Sequence, residues 1–373
     1  MNECRSLYIH IPFCLSRCRY CDFASHAGLS PELREAYLAA LCRELECLPT
    51  GELETVYFGG GTPSLLTEGE LSRILEAVAR RFRVKPHAEI SLECNPATAS
   101  KGKLRGFRTL GVTRLSIGVQ SLSDVELSAL GRVHTAADAV ETYRAARAAG
   151  FASVSLDLMY GLPLQTKESF LKTLDCALSL SPDHLSAYGL ILEEGTPLYA
   201  ARETTVFPSE DEEYAMYEAV VCCTGALGLT HYEISNYARE GHACRHNLAY
   251  WHREPYYAVG LAASSFDGRV RRTHTRELNA YLSDPLHSFE EVTELSDADA
   301  AFEEIMLSLR LGEGLSLDGF CMRHGFDPEQ RYRTCLASWL GRGLLVKRNG
   351  RLALTDEGLY LSSALLSEIL SSD

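Results

Sequence analysis

The 373-residue sequence contains no apolar run near the ~20 residues that a membrane-spanning helix requires, so no stable membrane insertion is expected. No basic region followed by a long apolar stretch and a small-residue cleavage site precedes Leu7, so no secretory leader is expected and the cytoplasm is the expected location. Positive charge is in short supply. Thirty-six Lys and Arg face fifty Asp and Glu, a formal net charge of −14, which disfavours nucleic acid or an acidic membrane as a bulk electrostatic partner. Internal repeats and low-complexity tracts are absent. The thirteen cysteines are scattered and odd in number, unlike the regular framework of a small disulfide-stapled domain, so reduced thiols are expected. What remains is a globular composition, 46% hydrophobic and 23% charged, long enough for about two domains.

Three of the cysteines stand apart. Cys14, Cys18 and Cys21, in His-Ile-Pro-Phe-Cys-Leu-Ser-Arg-Cys-Arg-Tyr-Cys-Asp-Phe, follow an apolar strand-like segment, Leu7–Ile11. Cysteine thiolates are the ordinary ligands of iron–sulfur clusters and a closed set numbers four. Three at this spacing point to a [4Fe-4S] cluster with one iron left open. The alternatives are unmetallated core thiols and a zinc site, which needs a fourth ligand; His10 and His26 are the nearby candidates for that ligand. Cys42, Cys47, Cys94, Cys176, Cys222, Cys223, Cys321 and Cys335 lie in apolar or helical contexts and read as structural.

β-rich runs recur between helical stretches at Leu7–Pro12, Thr55–Phe58, Glu89–Glu93, Arg114–Val119, Ser153–Met159 and His184–Leu192. The intervening helices show in their period, with Leu33, Tyr37, Leu41 and Leu45 on one face and Leu71, Ile74, Leu75 and Val78 on another. Gly150 and Pro182 stand as stop signals. Alternation of this kind makes an α/β unit with a parallel sheet, whose ligands sit at the carboxyl ends of the strands. Those ends carry the cysteine loop, Gly59-Gly60-Gly61-Thr62-Pro63, Glu93-Cys94-Asn95-Pro96, Gly118-Val119-Gln120-Ser121 and Asp157-Leu158-Met159-Tyr160-Gly161. Five motifs are thus expected at one mouth. Lacking Cβ atoms, Gly60 and Gly61 let the backbone approach a ligand closely; without the lysine and Ser/Thr of a P-loop, the run does not suggest a nucleoside triphosphate.

The pattern divides the chain into residues 1–229, a connecting segment 230–295 and a unit 296–373. In the last, Phe302, Ile305, Met306 and Leu309 mark a helix, Leu317–His324 and Pro328–Gly341 two more, and Leu344–Val346 and Leu352–Leu354 flank an Asn349-Gly350 hairpin turn. Three helices and a hairpin form a winged-helix-like α+β domain. Its eight Lys and Arg against twelve Asp and Glu argue against a DNA-binding regulator.

The C-x3-C-x2-C order, with an aromatic residue before the last cysteine, resembles the radical S-adenosylmethionine (SAM) superfamily. Tyr-Ile-His-Ile-Pro-Phe-Cys, Phe-Gly-Gly-Gly-Thr-Pro-Ser-Leu-Leu, Leu-Ser-Ile-Gly-Val-Gln-Ser, Leu-Gly-Arg-Val-His and Asp-Leu-Met-Tyr-Gly-Leu-Pro narrow the likeness. Nearly the whole chain is similar to the oxygen-independent coproporphyrinogen III oxidase-like group. The resemblance implies a partial (β/α)6 barrel and SAM as cofactor. It places Tyr8, Gly60, Gly61, Thr62, Glu93, Gln120, Arg132 and Asp157 on the cofactor side and Cys14, Cys18 and Cys21 on the cluster. Tyr8 also reads as ordinary strand packing, and the polar residues as caps or surface groups.

Within the group, the oxidases add a cysteine two residues after the third motif cysteine, where this chain has Phe23, and carry a longer N-terminal arm, where this chain has thirteen residues before Cys14. His246-Asn247-Leu248-Ala249-Tyr250-Trp251 matches the His-Asn-x-x-Tyr-Trp motif of the haem-chaperone branch. The resemblance therefore implies haem as a ligand and a haem-accepting apo-protein as partner, such as a membrane respiratory enzyme. His246, Asn247, Tyr250 and Trp251 are the haem candidates, and Cys244 is a rival axial ligand. A structural role for His246 stays open. No Cys-x-x-Cys-His segment occurs, so a covalent c-type link is not expected. Oxidative decarboxylation of a porphyrinogen propionate is the alternative activity. Tyr257–Ser264 is less glycine-rich than the family pattern and is expected to turn less tightly.

Overall fold

Six segments in which apolar and polar residues alternate form parallel strands: β1 (Ser6–Ile11), β2 (Gly51–Gly60), β3 (Phe82–Cys94), β4 (Arg114–Gln120), β5 (Ser153–Tyr160) and β6 (His184–Gly189). Each is followed by a helix, in order α1 (Pro31–Cys47), α2 (Glu68–Arg81), α3 (Lys101–Thr109), α4 (Ala136–Ala149), α5 (Lys167–Ser179) and α6 (Glu210–Ala226). The computed structural model describes residues 4–370. Leu7, Ile9 and Ile11, Val56 and Phe58, and Leu115 and Ile117 are completely buried in one core with helix residues such as Tyr37, Leu41, Ile74 and Phe170. Burying each such side chain contributes about 1.5–3 kcal/mol, and a one-residue slip would turn all of them to the other face. That fixes the register.

The opposite face of each strand carries polar groups: Tyr8 and His10, Thr55 and Tyr57, Glu89 and Glu93, Arg114 and Ser116, Ser155 and Asp157, His184 and Ser186. A parallel strand covered on both faces ordinarily reads as a continuous apolar run. Here the inner face is a polar lumen, and it is built as a hydrogen-bonded network. Ser116 donates to Asp157 (2.8 Å), Ser155 donates to the same carboxylate (2.8 Å), and Ser155 meets His184 Nδ1 at 2.8 Å. His184 Nε2 reaches the Tyr232 hydroxyl, also at 2.8 Å.

The cylinder does not close, so the partial (β/α)6 barrel is flanked by added strands. Beyond β6 lie β7 (Thr230–Glu233) and β8 (Asn236–Ala238), and beyond β1 lie β9 (Tyr256–Val259), β10 (Ser264–Phe266), β11 (Val270–His274) and β12 (Phe289–Glu294). The sheet runs β12-β11-β10-β9-β1-β2-β3-β4-β5-β6-β8-β7. β9 pairs parallel to β1, Ser6 opposite Tyr256, a seventh parallel strand absent from the sequence expectation. Residues 257–264 correct a second expectation, because the chain there turns tightly. Gly260 has φ +102° and Ala262 φ +55°, and a Cβ on Gly260 would lie 2.6 Å from the Tyr37 hydroxyl. Buried Glu44 of α1 secures this edge, accepting from Gly260 N–H (3.0 Å) and the Tyr281 hydroxyl (2.6 Å).

The C-terminal unit has helices Asp297–Ser308, Leu317–His324 and Arg333–Gly341 around a fully buried Trp339. Strands Leu345–Arg348 and Arg351–Leu354 form the hairpin, with Asn349 and Gly350 both at positive φ and Leu315–Ser316 adding a third strand. The helix expected over Pro328–Gly341 breaks at Tyr332 into two pieces. The sixth strand ends at Gly189, short of the expected Leu192. Among the eight cysteines read as structural, Cys42 and Cys94 are buried, but Cys47, Cys176 and Cys222 are exposed, because they fall on the solvent faces of their helices. No helix among the described residues is long and apolar enough to cross a membrane.

Candidate functional site

Cys14 ends a two-residue strand, Phe13–Cys14, that pairs with His26–Ala27; Cys18 and Cys21 follow in the loop between them. Backbone bonds pin that loop, from His26 N–H to Pro12 O (2.7 Å) and from Arg19 N–H to Leu130 O (3.0 Å). All three thiols line one cavity of about 380 Å³ at the carboxyl ends of β1–β6, a size suited to a small-molecule cofactor. Cys14 Sγ lies 3.7 Å from Thr62 Oγ1, and Cys18 Sγ lies 3.5 Å from Arg132 Nη1. Burial pushes the Cys21 thiol up from its ordinary pKa. No three His, Cys, Asp or Glu side chains among the described residues are placed to hold a single metal ion. His10 has both ring nitrogens engaged, Nε2 with Ala24 O (2.8 Å) and Nδ1 with the Tyr8 hydroxyl (3.1 Å). His10 is thus not free to complete a zinc site.

Gly60, Gly61, Thr62, Glu93, Gln120, Arg132 and Asp157 line this same cavity, as does Asn247. Tyr8 does not; it lies beneath, its ring 6.2 Å from that of Tyr57 and against Gly59, where a Cβ would approach within 2.9 Å. The glycine run also has a packing role beside its place in the cavity wall. A Cβ on Gly61 would lie 2.8 Å from Phe13 O, and Gly61 N–H donates to Ile11 O at 2.9 Å. Absence of side chains there seats the cysteine loop on the strand ends.

Glu93 accepts from the Tyr57 hydroxyl (3.0 Å) and Gly60 N–H (3.2 Å). Burial, chiefly, pushes its carboxyl up to about 7. The folded state then keeps a proton that the unfolded chain loses near its ordinary pKa of 4.5, so this group lowers stability as pH rises through that window and has no further effect above about 7. Glu93→Gln is expected to stabilise the cofactor-free protein by about 1–2 kcal/mol at pH 8 and little at pH 5. Urea titrations at both pH values check this; an equal effect at both would contradict it.

Gln120 adopts φ +65°, the left-handed region in a non-glycine residue, where the β4–β5 register shifts. Such strain persists where the surroundings demand it; here Gln120 Oε1 accepts from Tyr188 at 2.9 Å. Arg132 Nη2 donates to Gly118 O at 2.7 Å. Four buried polar atoms with no protein partner also belong to residues lining this cavity: Ser25 Oγ, Arg114 Nε, Arg132 Nε and Asn236 Oδ1. An unmatched buried polar group costs about 1–3 kcal/mol, so these atoms fit a polar ligand. Sequence reading missed Tyr20, Arg114, Tyr188 and Asn236. The signal was present for Arg114, a charge on the polar side of an apolar-polar alternating strand.

The His-Asn-x-x-Tyr-Trp segment forms a short helix, α7 (Arg245–Trp251), under the lumen. Glu89 accepts from Arg245 N–H (3.0 Å) and His246 N–H (3.2 Å) at its start. His246 is completely buried, with Nδ1 at 2.8 Å from Thr55 Oγ1 and Nε2 at 2.8 Å from the Tyr250 hydroxyl. Its ring stacks on Tyr57 at 5.1 Å, and burial pushes its pKa down to about 3. Cys244 is equally buried, bonded to Glu89, and pushed up to about 12 by burial, so it keeps its proton. Tyr250 instead borders a second cleft beside β1, of about 530 Å³. Phe23, Gly60 and Glu93 border both cavities. Trp251 is half-buried on another face of the helix.

Residues 8–177 match the radical SAM superfamily model, and residues 295–361 the HemN C-terminal domain. The haem chaperone HemW of Mycobacterium tuberculosis is 36% identical over 382 residues, covering 98% of this chain and 94% of that protein. HemW of Bacillus subtilis is 34% identical over 378 residues, 98% and 99% of the two chains, and HemW of Escherichia coli 35% over 370, 96% and 97%. The solved coproporphyrinogen III oxidase HemN of Escherichia coli superposes with a TM-score of 0.85 at 23% identity, over 98% of this chain and 90% of that one, a likeness of fold. Radical SAM membership implies a [4Fe-4S] cluster and SAM, and the thiol-lined cavity with its unmatched polar atoms fits both. The chain belongs to the radical SAM superfamily and, within it, to the family of the HemW haem chaperones.

Proposed function

We propose that this protein is a cytoplasmic haem chaperone that holds a [4Fe-4S] cluster on Cys14, Cys18 and Cys21, binds SAM beside it, and passes haem to an acceptor protein, a membrane respiratory enzyme being the acceptor class. The observation that carries the reading is the wall shared by two cavities: Phe23, Gly60 and Glu93 separate the thiol-lined chamber from a cleft bordered by Tyr250 and Tyr256. A cofactor in one chamber can thereby bias occupancy of the other.

When bound, the cluster's open iron supplies a chelation point for the amino and carboxylate groups of SAM and one electron to its sulfonium. The chain's own residues do the holding. Arg132 donates toward the Cys18 sulfur and screens its negative charge. Glu93, anchored by Tyr57 and Gly60 N–H, presents a carboxylate to the cationic end of the cofactor, and Thr62, Gln120 and Asp157 complete the polar cradle. Asp157 is held in place by Ser116 and Ser155.

The alternative, radical decarboxylation of a coproporphyrinogen propionate, has the HemN-like fold in its favour. Phe23, at the position where that group carries a further cysteine, stands 65% exposed at the seam of the two cavities and favours the carrier. Anaerobically purified protein is expected to take up haem, deliver it to an apo-acceptor, and show no coproporphyrinogen turnover. Robust protoporphyrinogen production would overturn the carrier reading.

A further inference from the structure

The carrier reading, on which any choice of haem ligand rests, leaves open which atom takes the haem iron. The cleft beside β1 is walled largely by Phe23, Tyr250, Tyr256, Ala262 and Ala263. Arg276 and the Glu93 and Glu290 carboxylates also border it, as does the His10 imidazole, held by Ala24 O and the Tyr8 hydroxyl. Aromatic and small apolar walls suit a flat macrocycle. Arg276, exposed and 3.1 Å from Asp22 Oδ2, stands where a guanidinium can pair with a propionate carboxylate. Of the four motif residues, Tyr250 alone borders this cleft. His246 is sealed behind it with both nitrogens engaged, and Cys244 is completely buried.

We propose that haem occupies this cleft and that the phenol oxygen of Tyr250 is its axial ligand, with His246 acting as a positioning residue. Tyrosine is an established ligand of ferric haem. The hydroxyl of Tyr250 sits 2.8 Å from His246 Nε2, and Nδ1 of the same ring sits 2.8 Å from Thr55 Oγ1. On binding ferric haem the Tyr250 O–H bond breaks and an Fe–O bond forms. The phenol proton moves to Nε2, the Nδ1 proton leaves through the Thr55 hydroxyl, and one proton is released to solvent. His246 stays neutral and changes tautomer. It then donates Nε2–H to the phenolate while accepting from Thr55, whose hydroxyl serves in either direction. No electron is transferred.

The test uses full-length, anaerobically purified protein titrated with ferric haem. Expected for the wild type are a phenolate-to-iron charge-transfer band, an Fe–O(phenolate) stretch by resonance Raman spectroscopy, and release of about one proton per haem. Tyr250→Phe, which keeps the ring, is expected to lose both spectral signatures and to bind ferric haem at least ~10-fold more weakly with unchanged cluster iron. His246→Gln is expected to keep the band, displaced, with affinity within about 10-fold of the wild type. If the wild type lacks the Fe–O stretch, or Tyr250→Phe retains the band while His246→Gln abolishes it, the assignment is overturned. A wild type that takes up no haem would sink the carrier reading itself; a wild type that binds haem with a spectrum insensitive to Tyr250→Phe would sink the ligand assignment alone.

Discussion

Cys18→Ala is expected to strip the protein of its cluster: iron and sulfide fall at least ~10-fold in anaerobic preparations, and SAM binding is lost with them. The expectation follows from the loop's construction. Cys14, Cys18 and Cys21 border one cavity and no further cysteine follows at residue 23, so removing one thiol leaves two for a cube that needs at least three. Cys18 is also the thiol whose sulfur Arg132 approaches, at 3.5 Å, so Arg132→Gln is expected to give a milder version of the same defect. Cys244→Ala is the control. That thiol is buried against Glu89 at the foot of the barrel, and its loss is expected to leave iron content unchanged. Equal iron in Cys18→Ala and the wild type would contradict the ligand assignment.

The second large effect concerns stability. Gly60→Ala is expected to destabilise the protein by about 2–6 kcal/mol, the sum of a strained left-handed backbone and an overpacked contact. Gly60 has φ +109°, and a Cβ there would lie 2.4 Å from the His10 ring. That ring cannot swing aside without breaking its bonds to Ala24 O and Tyr8. Gly28 provides the comparison, with φ +71° and nothing within 4 Å of a built Cβ; Gly28→Ala is expected to cost only the backbone term, about 1–2 kcal/mol. Urea denaturation of the two variants checks the difference. Similar losses would mean that the contact with His10 is not the source.

Much of this arrangement was legible in the chain because the barrel strands are patterned by a strong contrast. Outward residues such as Leu115 and Ile117 are completely buried under helices, inward residues such as Ser116 face the lumen, and each strand ends in a motif that reaches the cavity. The helix face at Tyr37, Leu41 and Leu45 is fully buried as its spacing implied, with Leu33, 39% exposed in the first turn, as the exception. What escaped was set by distant partners. β9 has only four residues, Tyr256–Val259, and owes its parallel pairing to β1 and its tight exit to Glu44 and Tyr37, some two hundred residues away. Period alone cannot announce such a strand. Arg114 was overlooked as a cavity residue because a charge at a strand start resembles a surface position; only the curved sheet turns it inward, where it is 3% exposed. The motif at 246–251 was legible as a unit, but not its division between a sealed histidine and a tyrosine at a cleft, which depends on Thr55 from the other half of the chain.

Every functional assignment proposed for this chain depends on the proposal that Cys14, Cys18 and Cys21 hold an iron–sulfur cube with one iron left open to SAM. Mössbauer spectroscopy of anaerobically reconstituted, iron-57-labelled protein with and without SAM observes that open iron itself. Expected are about four irons per chain, one of which changes its isomer shift when SAM is added while the others do not. Stoichiometric zinc without iron, or a cluster whose irons are all unmoved by SAM, would contradict it.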